Sequence, residues 1–436
     1  MHPTRSFRLS CLALVALAAL SGQAFSATVA VGACTKLVSF ATIQSAVNEV
    51  PSGSTIKVCP GIYPEQVVIS KPLTLEGIAD ATGDDAAVIV PPNTGMVANA
   101  SDVTTGNPIA AQVLVYHSSA SISNLTVDGT GNGIAGCTPD LQGILIQFGS
   151  DTSNTVNHVA VRNQIPGGIV SDCQSGEAIE VQGGCGGIGI YEPLAVNNSP
   201  VTVENSSVHN YNTNGITVCD GGGALTVTGN YIQGSGVAPS GGAVQYGIQI
   251  YGHGGTISGN TVIDNIYGDP TVATSADILL YDTYGGTVAD NIVGNSQFPI
   301  VLYDDDGSSG SVSVKGNKIF GAATYDGIDA CTTYGNTITG NTIFNSAESG
   351  VHFDASCGSL HGNSPSGNGN TATKNAILES ACAGILADPG TTGNTSAPNT
   401  FYTVPFRVTS STSSCPFVAG SAMAKTKAVR KFRPLR

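Results

Sequence analysis

Residues 247–262 read GIQIYGHGGTISGNTV, and residues 277–293 repeat the same pattern as DILLYDTYGGTVADNIV. In both segments a short run of alternating apolar residues is followed by a glycine-rich turn and by a second short run that begins at an asparagine. Alternation over so few residues is typical of a β-strand and not of a helix. The repeated pattern therefore predicts an all-β chain.

The two runs recur along most of the chain. The asparagine run returns at intervals of 25, 30, 31, 26 and 24 residues, at Asn205, Asn230, Asn260, Asn291, Asn317 and Asn341. The glycine run returns at Gly143, Gly187, Gly215, Gly247, Asp277, Pro299, Gly327, Gly350 and Gly384. A coil of this length cannot bury its apolar side chains alone and must stack on its neighbours. We therefore predict a single-stranded parallel β-helix of about ten coils, right-handed because crossovers between parallel strands are right-handed.

The amino-terminal residues have the features of a secretion signal. Arg5 and Arg8 precede an apolar run from residue 11 to residue 20, and Ala24 and Ser26 place small residues at a cleavage site. Export leads to an oxidising compartment, so we expect the protein to be secreted, periplasmic or on the cell surface. No later apolar stretch is long enough to span a bilayer.

The segment that follows the signal predicts a helix. Ile43, Ala46, Val47 and Val50 are spaced as the apolar face of a short amphipathic helix. Such a helix would cover the open end of the stack, and residues 401–408 would cover the other end. We assign residues 1–26 to a secretion signal, 27–75 to an amino-terminal helical cap and first coil, 76–408 to the β-helix, and 409–436 to a serine-rich, basic tail.

The chain is strongly acidic. It contains 30 Asp and Glu against 16 Lys and Arg, and only eight of the basic residues lie between the signal and the tail. This surplus argues against nucleic acid as a partner, and against a polyanionic substrate unless cations bridge it. We expect a monomer without a transmembrane segment.

Cysteine usage also fits an exported protein. Ten of the 11 cysteines remain after the signal is removed, an even number with no Cys-x-x-Cys pair. A disulfide framework is therefore favoured over metal binding. We predict a bond between Cys34 and Cys59, which bracket the predicted helix, and a second bond between Cys173 and Cys185.

One segment carries a specific resemblance. The run ATIQSAVNEVPSGSTIKVCPGIYPEQVVISKPLTLEGI, residues 41–78, resembles the amino-terminal segment of right-handed parallel β-helix proteins of the pectin lyase-like superfamily. The later coils resemble the repeat units of the same superfamily, and together they cover residues 35–390. The resemblance implies the fold and, commonly, polysaccharide chemistry, but it does not define a reaction.

The catalytic motifs of the superfamily do not transfer as a set. Pectin methylesterases share the pattern matched by Gly61, Tyr63 and Glu65, but their catalytic segments have no counterpart, so Glu65 is interpreted as structural. Polygalacturonases match only residues 252–254, where His253 is a candidate for substrate binding. Pectate lyases pair Ca²⁺ with a basic residue, and the central coils contain few of these. The alginate epimerase motif Tyr-Gly-Phe-Asp-Pro-His is missing.

Alignment of the coils nevertheless predicts a site. Tyr251, Tyr281 and Tyr303 fall in one column, and Asp282 and Asp304 fall in the next. Equivalent residues of adjacent coils lie about 4.8 Å apart. We therefore expect Asp282 and Asp304 to be neighbours on the outer surface, beside a stripe of tyrosine rings.

We predict Asp282, Asp304 and Asp329 as catalytic carboxylates. The predicted substrate-binding residues are Tyr251, Tyr281, Tyr303, His253 and His352. Two carboxylates about 5 Å apart repel each other, which raises one pKa and supplies an acid, and this spacing is that of retaining glycosidases. The alternative is that the acids only form turns and that the stacked tyrosines stabilise a ladder without any ligand.

Three functions fit these observations. The first is a glycoside hydrolase that uses paired carboxylates and acts on a polysaccharide. The second is a noncatalytic glycan-binding, adhesive or structural surface protein, and the third is a cation-assisted polysaccharide lyase. No cofactor is required by the first two, although the acidic run at residues 304–306 offers the oxygen ligands that Ca²⁺ prefers.

Overall fold

A computed structural model describes residues 26–79, 86–103, 105–149, 153–183, 200–220, 224–237, 243–268, 275–304, 309–322, 325–355 and 367–410. The secretion signal and nearly all of the basic tail that the sequence predicts lie outside these residues. Among the residues described, no helix is long and apolar enough to cross a membrane.

Short strands make up almost all of the described structure. The amino-terminal strands are β1 (Thr28–Val31), β2 (Ser39–Phe40), β3 (Ser54–Val58), β4 (Gly61–Pro64), β5 (Val67–Ile69), β6 (Leu73–Gly77), β7 (Ala87–Val90), β8 (Ala100–Ser101), β9 (Pro108–Tyr116), β10 (Ala120–Asp128), β11 (Asp140–Gln147), β12 (Asn154–Gln164), β13 (Glu177–Gln182), β14 (Val201–Glu204), β15 (Ser207–Tyr211), β16 (Asn214–Asp220), β17 (Leu225–Thr228) and β18 (Tyr231–Val237). A helix, α1 (Ile43–Glu49), follows β2, and a 3₁₀ turn (Pro166–Gly168) precedes β13.

The strands continue in the same manner to the end of the described residues. They are β19 (Tyr246–His253), β20 (Thr256–Ser258), β21 (Thr261–Ile266), β22 (Ala276–Tyr284), β23 (Thr287–Ala289), β24 (Ile292–Ser296), β25 (Phe298–Tyr303), β26 (Ser313–Lys315), β27 (Lys318–Ala322), β28 (Ile328–Cys331), β29 (Thr337–Thr339), β30 (Thr342–Ser346), β31 (Ser349–Asp354), β32 (Thr371–Thr373), β33 (Ala376–Leu378), β34 (Ala383–Ala387), β35 (Thr400–Tyr402) and β36 (Phe406–Thr409).

These strands form two large sheets. Sheet A has 23 strands and sheet B has 13, and in the described residues every pairing is parallel except that of β8 with β9. Each strand pairs with its equivalent one coil away, as Ile278 does with Ile248 on one side and Ile300 on the other. The prediction of an all-β, right-handed parallel β-helix is confirmed.

The core lies inside the coils and consists of stacked aliphatic columns. Val31, Ile56, Ile144, Ile248 and Ile328 are all fully buried members of one continuous cluster that runs along the stack. Each buried side chain of this size contributes roughly 1.5–3 kcal/mol. Repetition of this contribution in every coil explains why the strands can be so short.

An asparagine ladder runs beside the core. Its members are Asn230, Asn260, Asn291, Asn317, Asn341, Asn375 and Asn399. Each Nδ2 donates to the Oδ1 of the next member at 2.9–3.0 Å, and each backbone N–H donates to the same oxygen. In the preceding coil the equivalent residue is Ser206 and not Asn205, because Ser206 N donates to Asn230 Oδ1 at 2.9 Å.

The helix α1 lies within the segment that the sequence assigned to it. Thr42 caps its first turn by accepting a hydrogen bond from Ser45 N, and Val50, which precedes a proline, leaves the helix in an extended conformation. The carboxylate of Glu65 accepts hydrogen bonds from Ile43 N and Gln44 N, each at 2.8 Å. Glu65 therefore holds the start of the helix against the first coils, which is the structural role expected of it.

The disulfides confirm one prediction and correct another. Cys34 is bonded to Cys59 as predicted, but Cys173 is bonded to Cys137. The prediction that Cys173 pairs with Cys185 was wrong, because the loops before β11 and β13 are stacked one coil apart and bring Cys137 beside Cys173. Cys185 lies outside the described residues. Cys219, Cys331 and Cys382 are also disulfide-bonded.

The carboxy-terminal residues 401–408 were expected to cover the stack. Instead, β35 and β36 add one more parallel strand to each sheet, pairing with β33 and β34. The repeat therefore continues to the end of the described chain.

Candidate active site

The side chains on the outer side of sheet B differ in chemical type along the stack. One outward column contains, in register, Leu145, Glu180, Thr217, Gln249, Leu279, Val301, Asp329 and His352. Glu180 near one end and Asp329 and His352 at the other are ionisable, whereas Leu279 and Val301 between them are apolar. Three zones result: a pocket of acids near β13, an aromatic zone from β19 to β25, and a cluster of acids with a histidine near β31.

The aromatic zone contains the tyrosines that the sequence aligned. Tyr251, Tyr281 and Tyr303 pair in register, with ring centroids 5.0 Å apart at both steps. Tyr281 and Tyr303 are each only 2% exposed and pack with Leu279 and Val301. The expectation of a tyrosine stripe on the outer surface was therefore wrong for these two residues, whose rings stabilise the ladder. Tyr251 is half-buried.

Asp282 and Asp304 each follow one of the paired tyrosines. Asp282 adopts a left-handed conformation with φ 45° and is half-buried. Asp304 is fully buried, and its carboxylate accepts a hydrogen bond from Ser309 N at 3.3 Å. The expectation that Asp304 faces solvent was wrong, because the chain returns over it at Ser309. A catalytic role for Asp282 and Asp304 stays a prediction, and the side chain of His253 lies outside the described residues.

The second group of predicted residues lies in an acid–histidine cluster, which consists of Asp326, Asp329, His352, Asp354 and Asp388. His352 Nδ1 lies 3.0 Å from Asp326 Oδ2 and 3.9 Å from Asp354 Oδ2, and its Nε2 lies 3.2 Å from Asp388 Oδ1. His352 is 2% exposed, and Asp326, Asp329 and Asp354 are fully buried. The structure thus brings Asp329 and His352 together, as the sequence suggested, but carboxylates already occupy both ring nitrogens.

Charge in this cluster favours a protonated histidine. Burial alone lowers the pKa of His352, but the charges of Asp326 and Asp354 and the hydrogen bonds with Asp326 and Asp388 raise it well above its usual range. The imidazolium offsets part of the buried negative charge. The contacts of His352 with the neighbouring carboxylates give it a structural role, and this role does not depend on substrate binding.

The same cluster has the spacing of a metal site. Ligand atoms of Asp326, Asp329 and His352 lie within 4.8 Å of one another, as do those of His352, Asp354 and Asp388. A metal would have to displace the proton from His352, and Ca²⁺ prefers ligand sets made only of oxygen. Cys331 offers no thiolate, because it is disulfide-bonded. Ca²⁺ binding by this protein stays a prediction.

The third zone is an acidic pocket formed by Asp102, Asp140, Glu177 and Glu180. Ala178 and Ile179, between the two glutamates, both belong to the core. The strand β13 therefore bends at this point, and Glu177 and Glu180 both lie on its outer side. Asp140 begins β11 in the adjacent coil, and Asp102 follows β8, the short antiparallel strand at β9.

The acids surround a small polar cavity of about 50 Å³, which Thr105 and Asn107 also line. Gln182 Nε2 donates to Glu180 Oε1 at 2.7 Å and to Asp102 Oδ2 at 2.9 Å, and Gln142 Nε2 donates to Glu180 Oε2. Glu177 is 1% exposed, and its Oε2 has no hydrogen-bond partner within the described chain. A cavity of this size holds about one or two water molecules. Glu177 Oε2 can form a hydrogen bond with such a water molecule.

Proton affinities in the pocket are strongly perturbed. Burial raises the pKa of Glu177 and of Glu180 well above the usual range, and the charges of neighbouring acids raise both further. Burial also raises the pKa of Asp140 to about 7, although hydrogen bonds from Ser175 and Gly176 offset part of the effect. Burial therefore favours the protonated form of these carboxyl groups, and Asp140, with a pKa of about 7, can release its proton near neutral pH.

The repeated pattern of the sequence did not indicate this pocket. The pattern predicts the strand of this coil at Gly187, whereas the structure has β13 at Glu177–Gln182, with Ile179 opposite Ile144. Residues 184–199, which include the Gly187 run, lie outside the described residues. Two acids three residues apart in the apolar run EAIEVQ were the available signal.

The fold agrees with known families and structures. A family model described as "Right handed beta helix region" matches residues 195–325 and 245–401. The A-module of mannuronan C-5 epimerase AlgE4 from Azotobacter vinelandii aligns with a TM-score of 0.50 and 15% identity, over 84% of this chain and 92% of that chain.

A second solved structure gives a similar result. DFA-IIIase from Arthrobacter chlorophenolicus A6, without its lid and in complex with GF2, aligns with a TM-score of 0.51 and 14% identity, over 82% of this chain and 88% of that chain. No curated protein matches the sequence. At these identities both structural likenesses concern the fold alone.

Proposed function

Because this chain is a right-handed parallel β-helix protein of the pectin lyase-like type, we propose that it acts on carbohydrate as a glycoside hydrolase. The observation that carries the proposal is the acidic pocket, where four carboxyl groups surround a cavity of about 50 Å³ and burial raises the pKa of Asp140, Glu177 and Glu180. Glycoside hydrolysis needs one carboxylic acid to protonate the leaving group and one carboxylate to act on the other side of the bond.

Glu177 suits the role of the acid. Burial raises its pKa well above the usual range, which favours the protonated form, and its Oε2 has no hydrogen-bond partner in the described part of the chain. Asp140 suits the role of the base, because a pKa of about 7 leaves a useful fraction ionised while retaining affinity for a proton. Glu180 is held by Gln142 and Gln182, so it positions the site.

The size of the cavity suggests the stereochemical course. About 50 Å³ admits water but no sugar ring, so the sugar would lie at the mouth of the pocket with a water molecule inside. Inverting glycosidases place a water between the base and the sugar in this way. For the acidic pocket we therefore propose inversion, whereas the retaining course stays a prediction for Asp282 and Asp304.

Two observations support carbohydrate chemistry on this scaffold. One compared structure is named a mannuronan C-5 epimerase, and the other is a DFA-IIIase in complex with GF2. The lining of the acidic pocket contains no Lys or Arg among the described residues, which favours a neutral glycan over a uronate, since carboxylates repel one another.

We also propose that the protein works outside the cytoplasm. The two disulfides that the structure defines, Cys34–Cys59 and Cys137–Cys173, persist in oxidising compartments. Fractionation of the producing cells should recover the disulfide-bonded, shortened protein from the medium, the periplasm or the cell surface. A full-length, reduced protein in the cytoplasm would contradict this assignment.

A polysaccharide panel tests the proposed reaction. Purified mature protein is incubated with neutral and acidic polysaccharides, and both new reducing ends and absorbance of unsaturated products are recorded. We expect reducing ends without unsaturated products from a neutral glycan, and loss of this activity in Glu177→Gln. The exposed Glu379→Gln is the matched control and should remain active. Unsaturated products would show a lyase, and binding without products would show a noncatalytic glycan-binding protein.

A further inference from the structure

A second column of polar residues runs along sheet A, on strands that take no part in the acidic pocket. It contains one residue per coil in the left-handed conformation, with φ between 56° and 66°. Its members are Asn163, Asn210, Asp264, Asn295, Gly321, Asn345 and Glu379. Asn210 Nδ2 donates to Asn163 Oδ1 at 2.8 Å, and Asn295 Nδ2 donates to Asp264 Oδ1. Side chains of adjacent coils are thus linked along the column.

The column is interrupted between Asn210 and Asp264. The register of β18 with β21 shifts between Gln233 and Gly236, so that Gly234 and Ser235 occupy the space of one residue. A Cβ atom on Gly234 would lie 2.4 Å from Asp264 O, so only glycine fits there. Ser235 Oγ donates to Tyr211 O at 2.5 Å and is turned away from the column. The bulge therefore leaves no polar side chain of the column between Asn210 and Asp264, and Gly321 is a second position of the column without one.

The missing side chain leaves a groove of about 360 Å³, lined by His209, Asn210, Gln233, Asp264 and the residues of the bulge. We call it the bulge groove. Its volume lies in the range of small-ligand sites, which is roughly 300–1,000 Å³. No side-chain hydrogen bond joins Asn210 to Asp264 across it in the described structure, although each is bonded to its neighbour on the far side.

The chemistry of the bulge groove selects a class of ligand. Gln233 Nε2 donates to Asp264 Oδ2 at 2.7 Å, and Tyr231 OH donates to Gln233 Oε1 at 3.0 Å, so the carboxylate, the amide and the phenol are held together. Tyr231 is 42% exposed and lies outside the lining of the bulge groove. A planar amide and a carboxylate suit hydroxyl groups on a ligand.

The charge of the lining of the bulge groove further restricts the class of ligand. Asp264 contributes a negative charge, and the lining contains no Lys or Arg among the described residues. A phosphate, a sulfate or a uronate would meet this carboxylate, with His209 as the one ionisable base among the described lining residues, and like charges repel one another. We propose that the bulge groove binds a neutral sugar residue of a glycan chain, as a site separate from the acidic pocket. The proposal does not depend on catalysis, because it rests on different strands of the other sheet.

Saturation-transfer-difference NMR of the full mature protein with neutral trisaccharides of glucose, galactose and mannose tests this proposal. A trigalacturonate of similar size is the charged counterpart. We expect at least one neutral trisaccharide to bind below about 10 mM, and the trigalacturonate to bind more weakly. Asp264→Asn and Gln233→Ala should each weaken binding about tenfold, the effect of one lost hydrogen bond to a ligand. Asp290→Asn, an exposed left-handed aspartate elsewhere on sheet A, should leave it unchanged.

Two further variants separate this site from the acidic pocket and from a folding defect. Binding should persist in Glu177→Gln, and deletion of Ser235, which restores the register of the neighbouring coils, should abolish it while the thermal transition is retained. Absence of binding by all three neutral sugars would overturn the proposal. So would preferential binding of trigalacturonate, loss of binding in Glu177→Gln, or unchanged binding in both Asp264→Asn and Gln233→Ala.

Discussion

Glu177 and Glu180 lie on the same outer side of β13, because Ala178 and Ile179 between them both fill the core. An unbent strand would place two residues at this separation on opposite faces. The bend therefore creates a pair of buried acids from one short segment. Their shared burial is the physical cause of the raised pKa values in the acidic pocket.

The acidic pocket should make stability fall as the pH rises. Unfolded glutamates titrate near pH 4.3, whereas burial raises the pKa of Glu177 and Glu180 in the folded protein and that of Asp140 to about 7. Their contribution is fully present below about pH 4 and is lost as the pH rises through the raised values. Thermal unfolding between pH 5 and pH 8 should show a smaller decrease in Tm for Glu177→Gln than for the wild type. Equal decreases in Tm for the wild type and Glu177→Gln would show that the pKa of Glu177 does not affect stability. The control variant Glu379→Gln should show the same decrease in Tm as the wild type.

Removal of His352 should destabilise the acid–histidine cluster. At pH 7, His352→Gln leaves Asp326 and Asp354 buried without the imidazolium, which costs about 3–5 kcal/mol. The raised pKa of His352 means that its contribution is complete below about pH 6.5 and is lost as the pH rises above that value. Urea unfolding at pH 6 and pH 9 measures both effects, with the exposed His158→Gln as the control. A variant as stable as the wild type at pH 6 would show that the histidine is not charged.

Truncation of the aromatic zone should affect stability and not ligand binding. Tyr281→Ala removes a ring that is 2% exposed and lies between two others, and we expect a loss of about 3–5 kcal/mol. Tyr284→Ala, whose ring is 53% exposed, is the matched control and should change stability by less than about 1 kcal/mol. If Tyr281→Ala keeps its urea midpoint but loses glycan binding, the ring is a binding surface after all.

The asparagine ladder should be sensitive to a single truncation. Asn291→Ala removes the acceptor of the backbone N–H of Asn260 and one of the two acceptors of Asn260 Nδ2, and it takes one donor each from Asn317 Oδ1 and Ile257 O. An unsatisfied buried group costs about 1–3 kcal/mol. Urea unfolding should therefore show a loss of about 2–3 kcal/mol, whereas Asn205→Ala, outside the ladder, should have a small effect. Equal losses of stability in Asn291→Ala and Asn205→Ala would show that an asparagine of the ladder contributes no more than one outside it.

The repeats made the fold predictable because burial and strand register recur in every coil. Ile248, Ile278 and Ile300 occupy equivalent positions of the repeated run, and the structure pairs them. Register along the stack follows from period-two alternation, since a slip of one residue would expose the core. The alignment of Tyr251 with Tyr281 and Tyr303 was correct for the same reason.

Burial on the outer side could not be derived from the repeats. Asp304 was expected to face solvent, but the chain returns at Ser309 and covers it. Ser309 lies outside the repeated runs, so its contact with Asp304 leaves no periodic signal in the sequence. Glu177 and Glu180 were missed because their coil lacks the repeated run at the position where the strand forms. The pairing of Cys173 with Cys137 was missed because proximity between coils does not follow proximity in sequence.

The roles of Glu177 and Asp140 are tested most directly by the dependence of their variants on the leaving group of the substrate. Initial rates are compared for a neutral glycan cleaved by the wild type and for its aryl glycoside with a nitrophenolate leaving group. A nitrophenolate leaves without protonation, so a variant that lacks the general acid retains activity on it, whereas a variant that lacks the base does not. If Glu177 is the acid and Asp140 is the base, we expect Glu177→Gln to be inactive on the glycan but active on the aryl glycoside. We expect Asp140→Asn to be inactive on both substrates. Full activity of both variants on the glycan would contradict the assignment of catalysis to the acidic pocket.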